Sequence, residues 1–302
     1  VVSNPQATAT TVRQRDVLVH ALAADAKLDL EETANRGHAA ALACRAMREG
    51  VDVVVALGGD GTVNEVVNGL LTDGVHDGVP TLGIVPAGST NVFARALGLP
   101  NDPVEATSVL IDAMATYRRK QISLGRADER WFVFAAGLGL DAAVVAGVED
   151  HRRRGRKSTH ALYLRTTLRR YLAEDRRHPA ISMTFPDGKV ISDLYLALVT
   201  NCTPWTFLGN QPMSPTPRAS FEEGLDVYAR TRLGLASMVL GVSRIARGAT
   251  KAKEFGARTE HDLAEFVLSS KRPLPFQVDG DALGERERVT FRGVRNALTV
   301  LV

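Results

Sequence analysis

The residues with the plainest chemical potential lie in one run, Gly58-Gly59-Asp60-Gly61-Thr62, where an apolar block (Val51 to Leu57) gives way to a helical pattern. Glycines let a backbone come close to a phosphate, and the following helix offers N–H groups and the positive end of its dipole. Thr62 is a residue type that caps such a helix. A carboxylate among those glycines repels a bare phosphate. Asp60 makes chemical sense with a Mg²⁺ ion between it and the phosphates, held directly or through water. The plain alternative is a glycine-rich turn with a solvent-exposed acid.

A second loop of the same kind follows the next apolar block: Pro86, Gly88, Ser89, Thr90 and Asn91, then a helix with Arg95 near its start. Hydroxyl and amide groups suit a nucleotide, and a guanidinium fork suits phosphate. Alone, Ser-Thr-Asn is ordinary capping chemistry; two such loops at neighbouring strand ends favour a phosphate site. Asn4 and Thr8, after Val1-Val2, are candidates to face the same ligand. Far downstream, Asp279-Gly280-Asp281 sits between β-type runs, where Asp-Gly by itself reads as a hairpin turn.

These loops need strands to carry them. Apolar blocks at Val1-Val2, Leu28 to Leu30, Val51 to Leu57 and Thr81 to Val85 alternate with helical patterns at 11–24, 37–49, 62–71 and 90–114. That alternation predicts a parallel α/β sheet covered on both faces, with ligands beyond the carboxyl ends of its strands. After residue 120 the texture changes to short β-type blocks separated by turn residues, with "FPDGK" (Phe185 to Lys189) as a hairpin signal. Helical patterns interrupt it only at about 158–173 and 234–247. The expected organisation is an α/β nucleotide-binding domain over 1–120 and a mostly antiparallel β-sandwich domain over 121–302.

Composition excludes several classes. The chain of 302 residues is 45% hydrophobic and 24% charged, as in an ordinary globular protein. No run is long and apolar enough to span a bilayer, and "VVSNPQATAT" is no signal peptide. Val1-Val2 reads as the end of a strand, so the true N-terminus is expected upstream. Cys44 and Cys202 lack metal spacing and fit a reducing cytoplasm. A net charge of +3 is too small to imply nucleic acid. Positive charge gathers at "HRRRGRK" (His151 to Lys157) and "LRRYLAEDRR" (Leu168 to Arg177), either as a solvated surface or as a face for anionic lipid.

Taken together, "NP", "GGDGTVNEV", "PAGSTNVFAR", "AAGLGLDA", "EEGLDV" and "VDGD" occur in the order found in the diacylglycerol kinase catalytic domain family, and the chain resembles that family over nearly its whole length. GGDGT alone also occurs in NAD kinases and phosphofructokinase-like proteins; "NEVVNGL" followed by "STNVFAR" is the more specific part. The resemblance implies ATP on the N-terminal domain, with Glu65 included in the nucleotide motif, Mg²⁺ near Asp60, and a lipid entering between the domains. The γ-phosphate would pass to a lipid hydroxyl, by default that of diacylglycerol. Asp281 stands where the family has its general base, Glu, and Lys157 where a Lys helps neutralise phosphate. "EEGLDV" is one residue shorter than a loop that binds a structural Mg²⁺ in some relatives, which makes Glu223 the candidate ligand. Val92 and Ser123 replace acids common in the family. The resemblance further implies a cytoplasmic enzyme peripherally bound to the inner face of the membrane; a homodimer stays open. Two alternatives remain: an NAD kinase-like small-molecule kinase, and a non-catalytic lipid-binding member of the fold.

Overall fold

The computed structural model describes residues 1–5, 7, 12–24, 27–139, 179–232, 234, 241, 243–247, 253–254 and 256–302. They form two units, Val1–Leu124 with Arg295–Val302, and Gly125–Val294. The chain thus passes from one unit to the other twice, where the sequence reading draws a single boundary near residue 120.

In the first unit, β1 (Val2–Ser3), β2 (Glu31–Glu32), β3 (Val53–Gly58) and β4 (Thr81–Pro86) run parallel in the order β2-β1-β3-β4. Both β3 and β4 are buried along nearly their whole length, as continuous apolar strands covered on both faces must be. They pair in register from Val53↔Thr81 to Gly58↔Pro86, so the two glycine loops leave the sheet side by side. The C-terminal residues complete this sheet. Val300 pairs in parallel with Leu82, and Leu301 joins a core that includes Leu18, Leu22, Leu57, Val85 and Leu110.

The helices are α1 (Val12–Ala23), α2 (His38–Arg48), α3 (Asp60–Leu70), α4 (Val92–Ala96) and α5 (Pro103–Ala115). The single helix expected over 90–114 is two. Gly98 at φ +83° ends the first, and Pro103 opens the second behind an Asp102 cap. The Asp102 carboxylate accepts the N–H groups of Val104 (2.9 Å) and Glu105 (3.0 Å), a start signal that an apolar-periodicity reading passes over. α2 and α3 cross closely: a Cβ on Gly69 would lie 2.2 Å from the carbonyl oxygen of Ala40.

β5 (Arg119–Ala127) leads into the second unit, which is mostly antiparallel. Its strands are β6 (Arg130–Phe132), β7 (Ala135–Gly139), β8 (Ile181–Thr184), β9 (Val190–Leu194), β10 (Leu196–Thr200), β11 (Thr206–Leu208), β12 (Gln211–Met213), β13 (Leu225–Arg230), β14 (Lys253–Glu254), β15 (Ala257–Leu263), β16 (Glu265–Val278) and β17 (Asp281–Leu301). The main order is β14-β15-β13-β10-β7-β16-β17, with the β8–β9 hairpin on β16 and β11–β12 as a separate two-stranded sheet. Phe266 stacks on Phe291 at 5.2 Å, and Phe132 meets the same ring edge-on at 6.3 Å. The expected "FPDGK" hairpin is present, closed by Gly188 N–H to Phe185 O (3.0 Å) with Gly188 at φ +83°. No helix among the described residues is long and apolar enough to cross a membrane.

Candidate active site

The two glycine loops of the first unit interlock. A Cβ on Gly88 would stand 2.6 Å from the Gly59 Cα, so the backbones of the loops touch with no room for a side chain. A Cβ on Gly58 would collide with Thr62 at 2.6 Å. These glycines are therefore required by the protein's own packing. Gly61 differs: among the described residues, a Cβ there meets nothing within 4 Å. It lies in the first turn of α3, whose N–H groups have no acceptor within the helix. Of these loop glycines, the one that the described protein atoms do not explain is thus the one beside an anion-seeking helix end.

Asp60 joins the loops chemically. Its Oδ2 accepts the Val92 N–H at 3.0 Å and its Oδ1 the Phe93 N–H at 3.1 Å, so it caps α4 from another helix. Burial pushes the Asp60 carboxyl above its usual range, against the backbone N–H groups of Val92, Phe93 and Asn91 and the charge of Arg95. Burial likewise lowers Arg95, with Asp60 opposing.

Glu65, expected near the nucleotide, is turned to α2. There its carboxylate accepts the N–H groups of Gly37 (2.8 Å) and Ala39 (3.2 Å). Gly37, the N-cap residue of α2, has no side chain to do this. Asn91 is spent inside its own loop. At φ +50° its Oδ1 accepts Gly88 N–H (2.8 Å), and its amide donates to Gly88 O (3.0 Å) and Asn101 Oδ1 (2.8 Å). Asn4 donates to Thr62 Oγ1 at 3.3 Å, bringing the β1 end to the same place. Ser89 is exposed, and Thr90 and Arg95 are half-buried. Gly61, Thr62, Ser89, Thr90 and Arg95 are the predicted residues this arrangement leaves best suited to a ligand.

Mg²⁺ near Asp60 can be tested against these donors. Both carboxylate oxygens already take a backbone N–H, and the described residues contain no group of three or more His, Cys, Asp or Glu that could hold a metal. One carboxylate with lone pairs to spare fits an ion that arrives on nucleotide phosphates and keeps its waters.

In the second unit, Asp279-Gly280 is the hairpin turn between β16 and β17. Val278 pairs with Asp281, and φ of +47° and +81° at the two turn residues matches a type I′ turn. The turn does more than reverse the chain. Buried Asp279 accepts the N–H groups of Val133 (2.8 Å), Phe134 (3.0 Å) and Ala135 (3.0 Å), while its own N–H donates to Ala135 O at 2.7 Å. Gln277 Oε1 takes the Gly280 N–H at 2.9 Å. Asp281, half-buried, follows directly on this fixed turn. The anchoring role of Asp279 was missed in the sequence, where the only signal was the Asp-Gly pair itself.

Glu223 lies just before β13, at whose bulge β15 sets His261 and Asp262 against Asp226. His261 Nδ1 is 2.7 Å from Asp226 Oδ1, and its Nε2 is 3.5 Å from Glu223 Oε2. Burial raises the Asp226 carboxyl, opposed by the Asp262 N–H, His261 and Arg218. An imidazole thus fills the space between the two carboxylates, and these residues do not fit a structural cation as well. His261→Ala is expected to cost about 1–3 kcal/mol by removing a side-chain partner of buried Asp226, which keeps the Asp262 N–H. A chelator is expected to leave the melting temperature of the nucleotide-free protein unchanged. Thermal melts of wild type and variant with and without EDTA check both. Thr8, Lys157 and the basic runs 151–157 and 168–177 lie outside the described residues.

By fold this is an NAD kinase-like α/β unit joined to a mostly antiparallel β unit. Among solved structures, a diacylglycerol kinase from Bacillus anthracis str. Sterne matches with TM-score 0.74 at 20% identity, over 99% of this chain and 94% of that one. An NAD kinase from Archaeoglobus fulgidus in complex with ATP matches with TM-score 0.53 at 10% identity, over 100% of this chain and 92% of that one. At such identities the likeness is one of fold. Sequence is more specific: residues 1–125 match the model of the diacylglycerol kinase catalytic domain. A diacylglycerol kinase of Staphylococcus haemolyticus (strain JCSC1435) is 39% identical over 124 residues, 41% of this chain and 36% of that protein. One from Staphylococcus aureus (strain JH9) is 42% identical over 103 residues, 34% of this chain and 30% of that protein. The match to the diacylglycerol kinase catalytic domain covers residues 1–125, and this chain spans about a third of the length of these curated relatives.

Proposed function

We propose that the protein is an ATP-dependent kinase that phosphorylates a lipid hydroxyl, with diacylglycerol as the default acceptor. The observation that carries the reading is the first turn of α3: N–H groups without helical acceptors, and open space at Gly61 beside the loop of Ser89, Thr90 and Arg95. In this reading the turn receives the phosphates of ATP, and Arg95 adds positive charge. Mg²⁺, carried by the nucleotide, supplies charge neutralisation. Asp281 accepts the proton of the lipid hydroxyl as its oxygen bonds to the γ-phosphorus, and the bond to the β-phosphate oxygen breaks to release ADP. A catalyst of this kind depends mainly on alignment, and within its own unit each of the interlocked loops and the anchored Asp279 turn is held in place.

Gly61→Ala separates this reading from a purely structural one. Nothing among the described residues opposes the methyl, and alanine in a helical position stabilises by about 0.4–1 kcal/mol relative to glycine. We expect an unchanged or slightly raised melting temperature with ATP affinity reduced tenfold or more. Wild-type ATP affinity in that variant would remove the turn from the site. Supplying labelled ATP with a panel of lipid alcohols and NAD in parallel then identifies the acceptor; transfer to NAD alone would favour the small-molecule kinase instead.

A further inference from the structure

The β11–β12 ribbon is unusual for a surface hairpin. From Leu194 to Pro217 the sequence has no Asp, Glu, Lys, Arg or His. The first part of that run is buried β10, but the ribbon is at the surface. Leu208 is 57% exposed, Gly209 to Pro212 are exposed, and Trp205, Phe207 and Met213 are half-buried. The pairing Phe207↔Pro212 alternates with Thr206↔Met213 and Leu208↔Gln211. Because successive strand side chains point to opposite faces, both faces of the ribbon carry an apolar residue. A ribbon that caps a core has one apolar face and one polar face. Surface strands exposed to water usually carry charge, often Lys, to prevent unwanted pairing. This one has none.

The charge lies alongside it. Gln211 Nε2 donates to Ala246 O at 2.8 Å, and Ser214 N–H donates to Ile245 O at 3.0 Å, fastening β12 to the helical residues 243–246. That stretch brings Arg244 and exposed Arg247 next to the ribbon. An uncharged ribbon with exposed Leu208, with Phe207 and Trp205 close in sequence and arginines alongside, offers a bilayer apolar contact, an interfacial Trp and charge for phosphate headgroups. Three residues per strand at about 3.4 Å each give the ribbon a reach of about 10 Å, the depth of the headgroup and acyl boundary.

We infer that the β11–β12 hairpin seats this protein on an anionic lipid bilayer, with Phe207 and Leu208 entering the apolar layer and Arg247 meeting headgroup phosphates. The inference rests on the lipid-kinase reading for its purpose, but its test does not. Flotation with vesicles of phosphatidylcholine and phosphatidylglycerol (7:3) compares wild type, Leu208→Glu and Arg247→Glu. Leu208→Glu is expected to lower partitioning at least tenfold. Arg247→Glu should lower it severalfold at low salt and little at high salt, where headgroup attraction is screened. Brominated lipid is expected to quench Trp205, since Trp131 is buried. If the protein phosphorylates lipid, Leu208→Glu should keep wild-type turnover on a dissolved short-chain acceptor and lose it on vesicles. Vesicle binding without any lipid phosphorylation would sink the kinase reading and leave the hairpin standing. Wild-type partitioning by Leu208→Glu, or no quenching of Trp205, overturns the hairpin. So does a wild-type dimer in sedimentation that Leu208→Glu dissociates, which would make a second copy the occupant.

Discussion

Asp60→Ala is expected to abolish phosphoryl transfer and to lower stability by about 2 kcal/mol at the same time. The substitution removes the acceptor for the N–H groups of Val92 and Phe93, and so the cap of α4 and the tie between the loops. Relief of a buried charge offsets part of that loss. Asn does not rescue it: the amide offers one acceptor, and its NH₂ faces an N–H that already needs one. The Asp60→Ala phenotype is therefore loop disorder and charge loss combined, and cannot be credited to a metal alone.

The sign of the pH effect follows from the raised carboxyl. With its folded value above the ordinary 3.8, Asp60 binds a proton in the folded protein before it does in the unfolded chain. Its contribution to stability therefore rises as pH falls from the raised folded value towards 3.8, and the wild type should gain on Asp60→Asn across that window. Melting temperatures of the pair against pH, with Asp226 common to both, measure it. A difference that shrinks on acidification would contradict the buried position of Asp60.

The adjacent acids of the second unit are expected to part company. Asp279→Ala leaves three backbone N–H groups, of Val133, Phe134 and Ala135, without their carboxylate in a buried place. At about 1–3 kcal/mol for each such group, partly relieved by relaxation, a loss of about 4 kcal/mol or more is expected, among the largest for a single substitution. Asp281→Asn should change stability by about 1 kcal/mol or less, while turnover falls by about 10²–10⁴ with ATP affinity intact, as for loss of a general base. Chemical denaturation and single-turnover kinetics distinguish the two. Wild-type turnover in Asp281→Asn would remove it from the mechanism, and a wild-type denaturation midpoint in Asp279→Ala would show that the three hydrogen bonds carry little.

What the sequence made legible is what local chemistry dictates. Strand β3 and its glycine loop follow from an apolar run and residue types within a few positions of each other. The Asp-Gly turn of β16–β17 does too. What escaped depends on backbone far along the chain. Asp60 meets N–H groups some thirty residues away, and Asp279 meets N–H groups 144 to 146 residues away. A carboxylate carries no mark of whether its partner will be an ion, a phosphate or a peptide. Glu65 shows the same limit: its place in a nucleotide motif is sequence-visible, its contact with the start of α2 is not. The split of α4 from α5 was visible in Gly98, Pro100 and the Asp102-Pro103 pair, but the continuing apolar periodicity outweighed it.

The return of residues 295–302 to the first unit has a consequence for the order of synthesis. Domains usually fold as they emerge, N-terminal first. Here Val300 lies beside Leu82, and Leu301 sits in a core with Leu57 and Val85. The first unit therefore lacks a strand and part of its interior until almost the whole of this sequence has been translated. Residues 1–125 carry the family signature, but as a folding body they are unfinished.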